Sequence, residues 1–166
     1  MVRYWLVRMK PDVQTDPDND FWKIGLEENL IAIGWYELGD ITSFSEDDKD
    51  ALVKKLKRTY PYYSDKKAIT AASTILRFEY NIKVDHIALL PTYPEDNDGI
   101  IYLIGKVKSP AKYDSGHYLV TRDIEWITSI SRNSISETLK KSLNGRLAVF
   151  NIDKHKEEIE LLISTR

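Results

Sequence analysis

The chain has no cysteine. That single absence removes disulfides, thiolate zinc sites, iron–sulfur clusters and cysteine nucleophiles. It also points, weakly, to an intracellular and cytoplasmic setting. No window approaches the ~18 uninterrupted apolar residues of a membrane-spanning helix. A signal peptide is not expected either, because Arg3, Arg8 and Asp12 break every apolar run near the N-terminus. Glycine is sparse, with seven in 166 residues, and no glycine-rich phosphate loop can be assembled from them. Gly99 and Gly105–Lys106 come nearest, but Val107 stands where Ser or Thr would bind magnesium. The three histidines, His86, His117 and His155, show no metal-ligand spacing and read as satisfied or surface side chains. No metal or cofactor is expected. The length suits one domain over residues 1–166, with a core large enough to need no staples.

What is present is charge, unevenly spread. The net charge is −2, yet residues 12–50 are dominated by Asp and Glu. Residues 51–67 carry Lys54, Lys55, Lys57, Arg58, Lys66 and Lys67 against Asp65 alone. A near-neutral total therefore leaves room for an anionic partner, because a local patch acts where the average does not. Aromatic residues make up 11% of the chain, a supply of rigid, stackable rings.

Apolar periodicity predicts a first strand over Met1–Arg8, then a polar loop from Pro11 to Asp20. Short strands are predicted at Phe21–Gly25 and Leu30–Trp35. A helix is predicted from an N-cap at Ser45 to about Arg58, and a second from Ser64 or Asp65 to about Tyr80. Strands follow at Val84–Leu90 (ended by Pro91), Ile100–Val107, His117–Ile127 and Leu147–Ile152. A short helix capped by Ser134 precedes the last strand, and Asp153 caps a final amphipathic helix. Tyr118, Val120, Ile124 and Trp126 share one side of their strand, opposite Thr121, Asp123 and Glu125. The expected class is mixed α/β: a curved sheet or barrel flanked by helices, with Trp5 and Trp126 buried and the first strand near Ile100–Val107.

Two stretches carry a resemblance. The first is Tyr4-Trp5-Leu6-Val7-Arg8, followed later by Ile31-Ala32-Ile33-Gly34-Trp35. The second runs Tyr102-Leu103-Ile104-Gly105-Lys106-Val107-Lys108-Ser109-Pro110-Ala111-Lys112-Tyr113, then Arg122-Asp123-Ile124-Glu125-Trp126-Ile127. Their order resembles the PUA-like superfamily, in particular EVE domains and their YTH relatives. There a strand resembling G-x-A-x-M-x-S-P-x-x-Y precedes one ending Asp-x-x-Trp-Ile. The likeness spans Arg3 to about Ser164 and looks closest to the EVE-like N-terminal domains of McrB-like, modification-dependent restriction proteins. It implies a barrel of about six strands and a non-catalytic module for methylated double-stranded DNA. A modified base, with N6-methyladenine favoured, would be flipped into an aromatic pocket. A GTPase motor and a nuclease subunit would lie outside this chain.

On that resemblance Trp35 is the principal pocket residue; its parity with Ile31 and Ile33 leaves the core as its alternative. Tyr113 and Tyr118 are further pocket candidates from the loop between two strands, where this chain has no tryptophan. Trp22 and Tyr36 are weaker ones. Arg8, Lys10, Lys108 and Lys112 are the candidate phosphate contacts at the pocket mouth, with the Lys54–Lys67 group as a second basic surface. Other readings stay open: a reader of modified RNA, a metal-dependent nuclease built on the carboxylates near Asp123, or a protein-interaction domain.

Overall fold

The computed structural model describes residues 1–9, 21–94, 99–113 and 118–166. Six strands form one curled, half-barrel sheet flanked by five α-helices. The strands are β1 (Tyr4–Val7), β2 (Leu30–Ile33), β3 (Ile87–Thr92), β4 (Ile101–Val107), β5 (Val120–Ser131) and β6 (Val149–Asn151). The helices are α1 (Phe21–Glu28), α2 (Lys49–Thr59), α3 (Asp65–Leu76), α4 (Glu137–Leu143) and α5 (Lys156–Ser164). The strand order is β2-β5-β4-β3-β1-β6. Only β1 and β3 are parallel, with Tyr4 opposite Ile87; the remaining pairs are antiparallel. The first strand therefore has β3 between it and β4, one place further from Ile100–Val107 than expected.

β1 is buried on both faces, and its alternation divides the interior. Trp5 and Val7 join the large cluster beneath α2 and α3, whereas Tyr4 and Leu6 join the one beneath α4 and α5. A third, smaller cluster of Met9, Ala32, Leu90 and Tyr118 packs under α1. The buried Trp5 indole donates to His86 Nδ1 at 3.1 Å, and His155 Nε2 meets Ser142 Oγ at 2.7 Å. Both histidines are thus satisfied in place; His117 lies outside the described residues. No described helix is long and apolar enough to cross a membrane.

Several boundaries differ from the sequence reading, each for a physical reason. Phe21–Gly25 is the start of a helix, not a strand. A short apolar run fits either period, and here Asn29, with φ 56°, ends the helix in a left-handed cap. α2 begins at Lys49, because Ser45 spends its hydroxyl and amide on the Asp48 carboxylate in a turn ahead of the helix. Ser64 caps α3 by accepting from Lys67 N at 3.1 Å. Ser136, not Ser134, caps α4 by accepting from Leu139 N. Asp153 holds the Tyr4 amide and Arg3 instead of capping α5. β3 runs through Pro91. β1 reaches only Leu89, so Pro91 sits where one side of its strand has no ladder partner and the missing N–H costs little. β5 continues to Ser131, and Trp126 is half-buried rather than enclosed, its Nε1 donating to Gly25 O at 3.1 Å.

Gly105 marks the irregularity in the β4–β5 register. A Cβ there would stand 2.7 Å from Ile124 Cγ1 and 2.8 Å from Trp126 Cε3. Gly105→Ala should therefore overpack the sheet and cost about 1–3 kcal/mol. A urea denaturation curve with an unshifted midpoint would contradict that close approach.

Candidate functional site

The strand directions give the sheet two ends. β2 and β4 finish, and β5 begins, at one end; β1, β3 and β5 finish at the other. Trp35, Tyr36, Lys108, Lys112, Tyr113 and Tyr118 consequently gather at the first end. Arg8, just after β1, lies at the second, away from the position the resemblance implied. Its guanidinium is occupied by the carbonyls of Leu143, Gly145 and Leu147 around the end of α4. Lys10 lies outside the described residues.

Trp35 follows Gly34 and takes a left-handed backbone, φ 59° and ψ 29°. A bulky residue there costs on the order of 1–3 kcal/mol, and such strain clusters at functional sites. The indole is half-buried on the rim of the α2–α3 cluster, and its Nε1 donates to Tyr63 OH at 3.1 Å. Tyr63 stacks on buried Tyr60, with ring centroids 4.9 Å apart, and Lys67 Nζ lies 4.5 Å from the Tyr63 ring. The corner between α2 and α3 thus braces Trp35 from behind. Tyr36, half-exposed in the adjacent 3₁₀ turn, stands beside it.

The other candidates divide. Tyr113 is 37% exposed at the same end of the sheet. Tyr118 is 9% exposed, edge-on to Phe21 with centroids 5.7 Å apart, and joins Trp22 in the packing under α1. The Trp22 Nε1 is buried without a hydrogen-bond partner. Alternation failed for Tyr118 because regular strand starts only at Val120; Leu119 and Val120, consecutive in sequence, enter the same cluster. Lys112 is paired with Asp123 at 2.5 Å, whereas Lys108 is exposed. That pairing also commits the carboxylate on which a nuclease reading would have relied. Among the described residues, no group of three or more His, Asp or Glu is placed to hold a metal ion.

Beside Tyr113 is a buried polar cluster that the sequence reading missed. α3 continues into a π-helical turn, Arg77–Asn81, of the kind often found at functional sites. Arg122, 3% exposed, points from β5 into this turn. It donates from Nε to Phe78 O at 3.0 Å, from Nη2 to Glu79 O at 2.7 Å and from Nη1 to Ser109 O at 3.2 Å. Burial pulls its guanidinium down to about 10. The Glu79 carboxyl, 5% exposed, lies by the hydroxyls of Tyr80 and Tyr113, but neither oxygen is in a well-formed hydrogen bond. Burial raises its pKa, against the opposing pull of both hydroxyls and Arg122. Burial and Glu79 together raise Tyr113 as well, and raise Tyr80 to about 12. The available signal was a charge on an apolar stripe. Glu79 follows Ile75 and Phe78 at helical spacing, and Arg122 lies between Val120 and Ile124 on one strand face.

Residues 5–152 match a family described as Domain of unknown function (DUF8426). The chain belongs to this family. No curated protein matches it. A solved structure, the X-ray crystal structure of protein Atu2648 from Agrobacterium tumefaciens, covers 93% of this chain and 90% of its own. It is 11% identical, with a TM-score of 0.38.

A buried carboxyl with a raised pKa keeps its proton in the folded state after the unfolded chain has lost it. Stability should therefore fall as pH rises from the ordinary value of 4.5 through the folded value, and level off above it. Glu79→Gln should remove that fall. The difference in unfolding free energy between wild type and variant, followed from pH 4 to 8, tests this; a pH-independent difference would place the carboxyl in a solvated setting.

Proposed function

We propose that this protein is a non-catalytic reader that takes a flipped nucleobase into the end of the sheet bounded by Trp35 and Tyr113. The observation that carries the reading is an indole held in a strained backbone at the end of the sheet where Tyr113 lies by a buried carboxyl whose bonding capacity the protein leaves largely unused. Stacking on an aromatic ring is worth roughly 1–3 kcal/mol per base, about the cost of extruding one from a duplex. The bound base must also find partners for its Watson–Crick edge, or its desolvation outweighs the stacking. A Glu79 that retains its proton can donate to a ring nitrogen and accept from an exocyclic N–H, and adenine and cytosine both offer that pair. A methyl group enclosed among rings adds on the order of 1 kcal/mol.

Methylated double-stranded DNA, with N6-methyladenine as the preferred base, follows from the resemblance to EVE and YTH domains. The same resemblance supplies the setting: the specificity module of a modification-dependent restriction system, working with a GTPase motor and a nuclease subunit. Trp35, Tyr36 and Tyr113 form the proposed pocket, and Lys108 is its phosphate contact. Lys112, already paired with Asp123, contributes less.

Trp35→Ala should weaken binding of an N6-methyladenine duplex about 5- to 150-fold, the range set by stacking, with Trp35→Phe recovering much of the loss. The measurement is a titration at fixed salt against duplexes bearing N6-methyladenine, 5-methylcytosine or no modification, and against matching single-stranded RNA. A melt of each variant reports folding. Undiminished methyl preference in folded Trp35→Ala would end this assignment. Tighter binding to methylated RNA would move the substrate to RNA, and turnover of any strand would make the protein an enzyme. Lys108→Ala should weaken all duplexes alike and lower the log–log salt slope by about 0.9.

A further inference from the structure

At the opposite end of the sheet, on the face covered by α4, is a cavity of about 300 Å³ lined by three arginines from three separate segments. Arg8 follows β1, Arg132 follows β5, and Arg146 follows α4. Arg8 and Arg132 are held rigidly by hydrogen bonds to neutral groups, and the exposed Glu137 carboxylate is the one acidic neighbour of Arg132 among the described residues. Arg8 binds the carbonyls at the end of α4, and Arg132 donates to Tyr102 OH at 2.6 Å and Asn144 Oδ1 at 2.8 Å. Arg146 is exposed, with no hydrogen bond or ion pair among the described residues. Among the described lining residues there is no Asp or Glu. The end of α4 offsets a fraction of a charge, far short of three guanidiniums.

Cations that merely closed a helix would not need a third arginine or a hollow between them. The lining also includes apolar Pro91 and Ile100 and the half-exposed ring of Tyr93. Forked guanidinium donors match the oxygens of a phosphate, and a ring beside them suits a planar body. The volume falls at the small end of ligand pockets.

We propose that this cavity binds a phosphomonoester whose body also carries a planar ring, as in a mononucleotide or the 5′-phosphorylated end of a nucleic-acid strand. The site lies at the end of the sheet remote from Trp35 and does not depend on the base-reader proposal.

Isothermal titration of the full chain with AMP, with adenosine, and with short oligonucleotides bearing a 5′-phosphate or a 5′-hydroxyl separates the sources. AMP should bind and adenosine should not. Arg146→Ala should weaken AMP by about tenfold, the loss of one charge-assisted hydrogen bond. Arg146→Glu should abolish binding, with an unchanged melting midpoint, and Trp35→Ala should leave it intact. Binding of the 5′-phosphorylated strand alone, lost in Arg146→Glu, would assign the same chemistry to a strand end. Failure of AMP and of both strands at millimolar concentration, or binding that Arg146→Glu does not alter, would overturn the proposal.

Discussion

The folded state depends on one buried cation. Arg122 stands on the central part of the β2–β5–β4 sheet and faces the helical layer, where an uncompensated guanidinium would be costly. Its three nitrogens instead each donate to a main-chain carbonyl, two in the π-turn and one of Ser109. This fixes three things together: where α3 ends, how the β4–β5 connection leaves β4, and which face of β5 turns inward. An α-helical continuation past Leu76 would draw those carbonyls back into its own hydrogen-bond ladder. The π-turn and the arginine therefore require each other. Glu79 is carried into the interior by the same turn, so the under-satisfied carboxyl is a consequence of how Arg122 is accommodated.

Much of the architecture was legible in sequence, wherever period and length agreed. β1, β4 and the α2–α3 pair are long or strongly patterned enough that alternation or helical spacing identifies them. Phe21–Gly25 was misread because five apolar-rich residues satisfy both periods, and only the left-handed cap at Asn29 reveals the helix. Pro91 misled for a different reason. Its effect depends on whether a neighbouring strand reaches that far, which is a property of the sheet and not of the residue. Trp35 was nominated through resemblance, while its brace on Tyr63 and Tyr60 was not foreseen, because the α2–α3 corner meets the residues after β2 only in three dimensions. Glu79 and Arg122 were passed over for a subtler cause. A periodic apolar pattern invites the reader to interpolate across the one polar member, and that member carries the information.

The two ends of the sheet have opposite chemical character. At the Trp35 end, Tyr80 and Tyr113 lie by a buried carboxyl whose pKa burial raises. At the Arg146 end, three guanidiniums share a cavity with Pro91, Ile100 and Tyr93, and no carboxylate is among the described lining residues. The proposed occupants differ accordingly: a flat group with a hydrogen-bonding edge at one end, a phosphate-bearing one at the other. Strand direction alone keeps them apart, since the connections after β2 and β4 emerge at one end and those after β1, β3 and β5 at the other.

The position of β1 has a consequence for how the chain is made. Its neighbours are β3 and β6, so Tyr4 waits for Ile87, and Leu6 waits for both Leu89 and Phe150. On the ribosome, β1 stays unpaired until the α2–α3 hairpin has been synthesised, and its other edge waits for β6. Contacts so distant in sequence slow folding. Meanwhile a segment whose four residues are all destined for the interior remains available to other nascent chains. The order of translation thus runs against the order of the sheet, and the Arg3–Asp153 pair beside β1 can form only in the final step of closure.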